Sequence, residues 1–206
     1  MKPIAECCLY GILDTGYVPA DRMDTMARSL IAGGADILQL RAKKESPDAI
    51  LEMALKLSPI CRDEGVPFIL NDHPELVQAS GATGAHVGQE DISIAEARKL
   101  AGPGALIGKS THSLEQASAA AGERPDYIGF GPLFATPTKP HYAPIGTQEI
   151  NEVHRRLSLP IFCIGGIKLS NLPSVLSAGA SRVVIVSDLL LASDPEKHTA
   201  ACKALL

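Results

Sequence analysis

Eight short apolar runs, each followed by a longer amphipathic stretch, restrict the folds open to this chain more than any other feature. The runs cover residues 8–13, 37–40, 67–70, 84–87, 106–108, 127–130, 161–164 and 183–186. Each is short and mostly apolar, as a strand covered on both faces must be. Helical patterns lie between them, over residues 21–32, 46–63, 93–100, 147–157 and 172–178. Ser113 with Gln116 forms a capping box, and Asn171 and Asp194-Pro195 mark further helix starts. Gly33-Gly34-Ala35-Asp36, Ser80-Gly81-Ala82-Thr83 and Ala178-Gly179-Ala180-Ser181 each precede a strand, where glycine ends a helix and turns the chain back. Repeated β-α units imply parallel strands with right-handed crossovers. Eight of them in 206 residues predict a single (β/α)8 TIM barrel domain spanning 1–206, near the lower size limit of that α/β fold. A doubly wound open sheet is the main alternative, but no GxGxxG follows the first strand.

Composition narrows the function classes. With 46% hydrophobic residues and a net charge of -4, the chain has apolar content for one large core. Aromatics make up 4%, Trp is absent and no basic patch is seen, which argues against a nucleic-acid partner. The cysteines at 7, 8, 61, 163 and 202 are odd in number and lack CxxC spacing, so free thiols are expected and no disulfide framework. Cys7 and Cys8 are placed on opposite faces of the first strand, and Cys163 in the core. No apolar run reaches the roughly 18 residues a bilayer span needs, and residues 1–6 show no secretory pattern. The expectation is a cytoplasmic protein with no membrane partner.

In a (β/α)8 barrel, sites gather at the carboxyl ends of the strands, and polar residues cluster there. After the second strand, period-two spacing puts Gln39, Arg41 and Lys43 on one side and Leu38, Leu40 and Ala42 on the other. The alternative reading is a snorkelling cationic rim. Asn71-Asp72-His73-Pro74 follows the third strand and His86 through Asp91 the fourth. Asp72 and Asp91 suit a hard cation such as Mg2+, which takes one or two carboxylates with substrate phosphate oxygens; helix capping is the equal alternative. Lys109-Ser110-Thr111-His112 follows the fifth strand. After the sixth, residues 131–139 offer Thr136, Thr138 and Lys139, two hydroxyls and an ammonium that can wrap an anion. Gly165-Gly166-Ile167 and Val186-Ser187-Asp188 follow the last two strands, where phosphate sites of such barrels form, although most glycine pairs are only tight turns. Arg41, Lys43, Lys139 and one Mg2+, set against Asp72 and Asp91, give a tally of +3, which suits a diphosphate. A second, monoester phosphate fits the glycine turns, and two phosphorylated ligands in one mouth suggest group transfer with diphosphate as leaving group.

Taken in order, these phrases resemble the thiamine-phosphate synthase family almost end to end. They are Leu9-Tyr10, Gln39 through Lys43, Asn71-Asp72, His86 through Asp91, Ser110-Thr111-His112, Gly131-Pro132 with Thr136, Thr138 and Lys139, Gly165-Gly166-Ile167 and Val186-Ser187. The resemblance implies joining of a hydroxymethylpyrimidine diphosphate to a thiazole phosphate, both small molecules, with Mg2+ as cofactor. It implies that Arg41, Lys43, Asn71 and Lys139 hold the diphosphate and that Asp72 and Asp91 hold the Mg2+. Gln39 and Ser110 would address the pyrimidine, with Tyr10 and His86 near it. Thr136, Thr138, Gly166, Val186 and Ser187 would hold the thiazole phosphate. Arg41, Lys43, Lys139 and Ser110 are the expected catalytic residues. The implied reaction is dissociative and needs no general base, so His112 and His141 are expected to serve hydrogen bonding or loop exposure.

Three departures from the family pattern carry their own expectations. The loop 140–146 is short and weakly charged, Asp188 would disturb a phosphate unless it points away, and Arg182 should reach the bottom of the barrel. The rivals are a thiazole tautomerase-like isomerase, which does not require Lys43, Asp72 and Asp91, and a non-catalytic phosphate-binding barrel. Homo-oligomerisation is left open.

Overall fold

Alternation along each strand sorts the apolar side chains into two cores, one inside a closed sheet and one between sheet and helices. The computed structural model of the chain describes residues 1–136 and 143–206. Its strands are β1 (Leu9–Asp14), β2 (Ile37–Arg41), β3 (Phe68–Asn71), β4 (Gly84–Val87), β5 (Leu106–Thr111), β6 (Tyr127–Phe130), β7 (Ile161–Ile164) and β8 (Val183–Ile185). They pair in chain order, all in parallel, and β8 closes on β1. This is the expected barrel, not the open sheet.

The helices are α1 (Met23–Ala32), α2 (Pro47–Asp63), α3 (Val77–Ser80), α4 (Ile94–Ala101), α5 (Leu114–Gly122), α6 (Ile150–Arg156), α7 (Leu172–Ser177), α8 (Ser187–Leu190) and α9 (Pro195–Lys203). Local chemistry accounts for four of these nine starts. Ser46, Ser93, Ser113 and Asp194 each accept a backbone N–H of the first turn, and Pro47 and Pro195 open their helices without needing a donor. Two starts differ from expectation. The Gln116 side chain reaches the His112 N–H (2.8 Å) and not that of Ser113, and the Asn171 side chain accepts from Lys168 N (2.8 Å) and leaves the α7 helix itself uncapped. At α6 the residues 147–149 form a turn, and Glu149 gives no side-chain cap. The three glycine phrases do turn the chain, with Gly34, Gly81 and Gly179 at φ values of 94°, 71° and 104°.

The interior core contains Tyr10, Ile12, Ile37, Ile69, Tyr127, Phe162 and Val184. Tyr10, Tyr127 and Phe162 meet edge to face, with centroids 5.5–6.0 Å apart. The outer core takes the alternate residues, among them Leu9, Leu13, Leu38, Leu40, Leu70, Ile107, Ile128 and Cys163. Burial pushes the Cys163 thiol up to about 12, as befits the core thiol expected there. All five cysteines are free.

At the amino end of the barrel the buried Asp36 carboxylate accepts from Cys8 N (2.8 Å) and Leu9 N (2.9 Å) and pairs with Lys2 and Lys203 (2.5 Å for the latter). This clasp is why β1 starts at Leu9. Cys7 and Cys8 therefore precede the strand, the first buried and the second half-buried. Arg182 also reaches this end, donating to Ala5 O (2.7 Å). Among the described residues, no helix is long and apolar enough to cross a membrane.

Candidate functional site

The carboxyl ends of the strands carry the polar residues inward. On β2 the expected alternation is observed: Leu38, Leu40 and Ala42 join the outer core, while Gln39 and Arg41 face the barrel mouth. The cavity there, about 890 Å³ with its open entrance included, is lined by Tyr10, Gln39, Arg41, Asn71, His86, Ser110, Thr136, Gly166, Val186 and Ser187, all of them expected site residues. Tyr127, Gly129, Phe162 and Ile164 also contribute to its floor and wall.

A continuous polar chain crosses that floor. Gln39 Nε2 donates to Tyr10 OH (2.7 Å), Tyr10 OH meets Tyr127 OH (3.0 Å), Tyr127 OH meets His86 Nδ1 (3.2 Å), and His86 Nε2 meets Ser110 Oγ (2.9 Å). Burial raises the phenols of Tyr10 and Tyr127 well above their ordinary value, so both stay protonated as neutral hydrogen-bonding groups. Register explains how His86 and Tyr127 meet. They flank Gly108 in one row across β4, β5 and β6, and a Cβ on Gly108 would fall 2.2 Å from Tyr127 Cζ and 2.6 Å from His86 Nδ1. Tyr127 was hidden in an apolar strand run; Gly108, where the fifth run ended in sequence, proves interior to β5 and marks the close approach.

Arg41 is not a bare cation. Its Nη1 donates to Asp14 Oδ2 (2.6 Å), and Asp14 Oδ1 also accepts from Gly16 N (2.8 Å). The two residues face each other in register at the ends of β1 and β2. The sequence reading ended the first strand at Leu13 and missed Asp14, which lowers the charge tally from +3 to +2. The signal was an aspartate at a strand's carboxyl end.

Lys43, Asp72 and Asp91 lie together but not in the wall of the cavity. Lys43 Nζ pairs with Asp72 Oδ2, and the Asp91 carboxyl is near enough for its charge to act on Asp72. Burial raises the Asp72 carboxyl above the usual carboxylate range; the Lys43 ammonium opposes this and the Asp91 carboxyl reinforces it. Asp72 sits at φ 64°, a left-handed conformation that a residue with a side chain adopts at a cost, and functional sites are where such strain concentrates. Neither aspartate caps a helix: His73 precedes the turn at Pro74, Ser93 caps α4, and Asp91 Oδ2 accepts from Gly88 N (2.7 Å). Two neighbouring carboxylates offer oxygen donors of the kind Mg2+ accepts.

On the opposite rim, Gly165 and Gly166 take φ values of 100° and 66°. A Cβ on Gly165 would meet Pro132 Cα at 2.4 Å and one on Gly166 would meet Phe134 Cβ at 2.7 Å, so the loop after β6 seats directly on this turn. Phe134 N donates to Gly165 O (3.0 Å), which brings Thr136 to the cavity. Asp188 points away from the mouth, accepting from Leu169 N (2.9 Å) and His198 Nε2 (2.8 Å). His112 is engaged with Gly131 O, and Lys109 turns outward to Glu123 (3.1 Å). Thr138, Lys139 and His141 lie outside the described residues.

Comparison with known proteins identifies the family. A protein-family model described as "Thiamine monophosphate synthase" matches residues 9–189. The chain is similar to the thiamine-phosphate synthase of Shouchella clausii, 41% identical over all of this chain and 96% of the relative. It is also similar to that of Halalkalibacterium halodurans, 40% identical over 90% of this chain and 89% of the relative. Among solved structures, a thiamine phosphate pyrophosphorylase from Pyrococcus furiosus superposes with a TM-score of 0.89 at 28% identity, covering 99% of this chain and 97% of the other. With its closed barrel, its polar floor and relatives aligned over nearly their full length, the chain belongs to the thiamine monophosphate synthase family.

Proposed function

We propose that the protein joins a hydroxymethylpyrimidine diphosphate to a thiazole phosphate, releasing diphosphate and forming thiamine phosphate, with Mg2+ as cofactor. One observation carries the reading: two rims suited to anions face each other across one mouth, with the polar chain between them. Arg41 and Asn71 stand on the β2–β3 side; Gly166, Val186 and Ser187 stand on the β7–β8 side.

The assigned roles follow that division. Arg41, Lys43, Asn71 and Lys139 hold the diphosphate, and Asp14 keeps the Arg41 guanidinium turned to it. Gln39 and Ser110, supported by Tyr10 and His86, hold the pyrimidine edge by hydrogen bonds. Thr136, Thr138, Gly166, Val186 and Ser187 hold the thiazole phosphate. Asp72 and Asp91 hold Mg2+, which supplies charge neutralisation for a departing diphosphate. In the step itself the C–O bond to the diphosphate breaks and the electron pair leaves with oxygen. The resulting pyrimidine-methyl cation is then captured by the lone pair of the thiazole nitrogen, forming the C–N bond. No proton has to be taken from the nucleophile, so donors and cations in a preorganised mouth suffice. The Lys43–Asp72–Asp91 group supports this reading over a tautomerase, which has no diphosphate to neutralise.

The test is to incubate purified protein with pyrimidine diphosphate, thiazole phosphate and Mg2+ and to follow diphosphate and thiamine phosphate by chromatography. Turnover that EDTA abolishes and Mg2+ restores is expected. Absence of both products, or equal turnover in EDTA, would refute the substrate or the metal assignment respectively.

A further inference from the structure

Outside the mouth, among the described residues, Asp188, His198 and Cys202 bring one carboxylate oxygen, one imidazole nitrogen and one thiol sulfur to within 4.8 Å of one another. We propose that these three side chains form a binding site for a thiophilic divalent transition ion, with Zn2+ the best match.

The donor set selects the metal class. A mixed O, N, S triad is foreign to Mg2+ and Ca2+, which take oxygen, and suits Zn2+, which binds Cys, His and Asp together with tetrahedral geometry. His198 and Cys202 are four residues apart on α9 and so share one face of that helix, while Asp188 comes from the first turn of α8. In a tetrahedral site with bonds of about 2.0–2.3 Å, ligand atoms stand roughly 3.3–3.8 Å apart. The present His198 Nε2 to Asp188 Oδ2 separation is 2.8 Å. An entering ion therefore needs this pair to open by about half an ångström and the sulfur to close by at most about 1.3 Å, within reach of side-chain torsions.

The surroundings are those of a ligand set. Asp188 is oriented by a second bond, from Leu169 N at 2.9 Å, the kind of outer contact that fixes a ligating carboxylate. Cys202 is buried, whereas Asp188 and His198 are 20% and 28% exposed, which leaves an entry path and a fourth position for water. Burial first, then the Asp188 charge, pushes the Cys202 thiol up to about 11. The sulfur thus packs as a neutral thiol until an ion binds; binding then forms the metal–sulfur bond and releases the thiol proton to solvent. A filled site would tie α9 to the start of α8 and, through Leu169, to the loop after β7.

Co2+ serves as the visible probe, added to the metal-free full-length protein. Wild type is expected to bind one equivalent with a thiolate-to-cobalt charge-transfer band in the near ultraviolet, which Zn2+ displaces. Zn2+ at about one hundred times its Kd should raise the folded-to-unfolded ratio about a hundredfold, read as a higher melting temperature. Cys202→Ala and, separately, His198→Gln should lose the band, and Zn2+ should no longer raise the melting temperature of either variant above its own metal-free value. Asp91→Asn should keep both. A wild-type protein without the band, or a band of equal strength in Cys202→Ala, would overturn the assignment; the latter would move the thiolate to another cysteine.

Discussion

Adding one methyl group at Gly108 tests how the floor of the mouth is built. The new Cβ would stand 2.2 Å from Tyr127 Cζ, 2.5 Å from its hydroxyl and 2.6 Å from His86 Nδ1. All three are closer than real Cβ contacts allow, so something has to shift. Tyr127 cannot swing away freely, because Tyr10 and Phe162 hold it edge to face. Overpacking of this kind costs about 1–3 kcal/mol. For a chain of this size each kcal/mol lowers Tm by about 2–4 °C, so Gly108→Ala should melt roughly 2–12 °C below wild type. The same clash pushes His86 off Ser110, and loss of one floor hydrogen bond worth about 1.4 kcal/mol would lower kcat/KM about tenfold. Gly129→Ala is the matched control. Its Cβ would meet His86 Cε1 at 3.6 Å and nothing nearer, an ordinary contact. It should melt like wild type, although it lines the cavity and should raise KM. Calorimetric melts with steady-state kinetics decide the matter. Equal melting of Gly108→Ala and wild type, or an equal drop in both alanine variants, would refute the account of His86 and Tyr127 meeting across an empty position.

Three further outcomes are expected. Burial alone would raise the Asp36 carboxyl, yet the Leu9 N–H, Lys2, Lys203 and the Cys8 N–H together hold it at about 2. Its contribution of about 2 kcal/mol is therefore present above pH 4 and lost as pH falls from about 4 to 2, so Asp36→Asn should flatten denaturant stability against pH in that window. Asp14→Asn removes the counter-charge of a partly buried guanidinium; it should cost about 3 kcal/mol in urea unfolding and lower kcat/KM at least about tenfold. Asp91→Asn, at an exposed carboxylate, should leave Tm within about 1 °C of wild type and sharply weaken the response of turnover to Mg2+.

The architecture was legible because short apolar runs recur eight times with helical patterns between them, and the glycine phrases mark where the chain turns. Gln39 and Arg41 could be placed on the inner face by spacing alone, since neighbours on a strand alternate and Leu38 and Leu40 claim the other side. What stayed hidden depends on register between strands. Asp14 gains its meaning from Arg41, 27 positions later, and Tyr127 from Tyr10, 117 positions earlier. No local pattern carries either pairing. Helix starts erred for a smaller reason: Gln116 and Asn171 have the residue types of caps, but their amides bond backbone groups just outside the helix. Asp188 could be flagged as unusual from its position, yet its direction required knowing that His198 returns to it from α9.

The crossed rings of Tyr10, Tyr127 and Phe162 stopper the barrel axis from beneath. Among the described residues, the way into the well therefore lies at the carboxyl ends of the strands. On the proposed two-substrate reading, the molecule seated deeper has to arrive before its companion nearer the threshold and depart after it, so traffic order is imposed by shape before any affinity is considered.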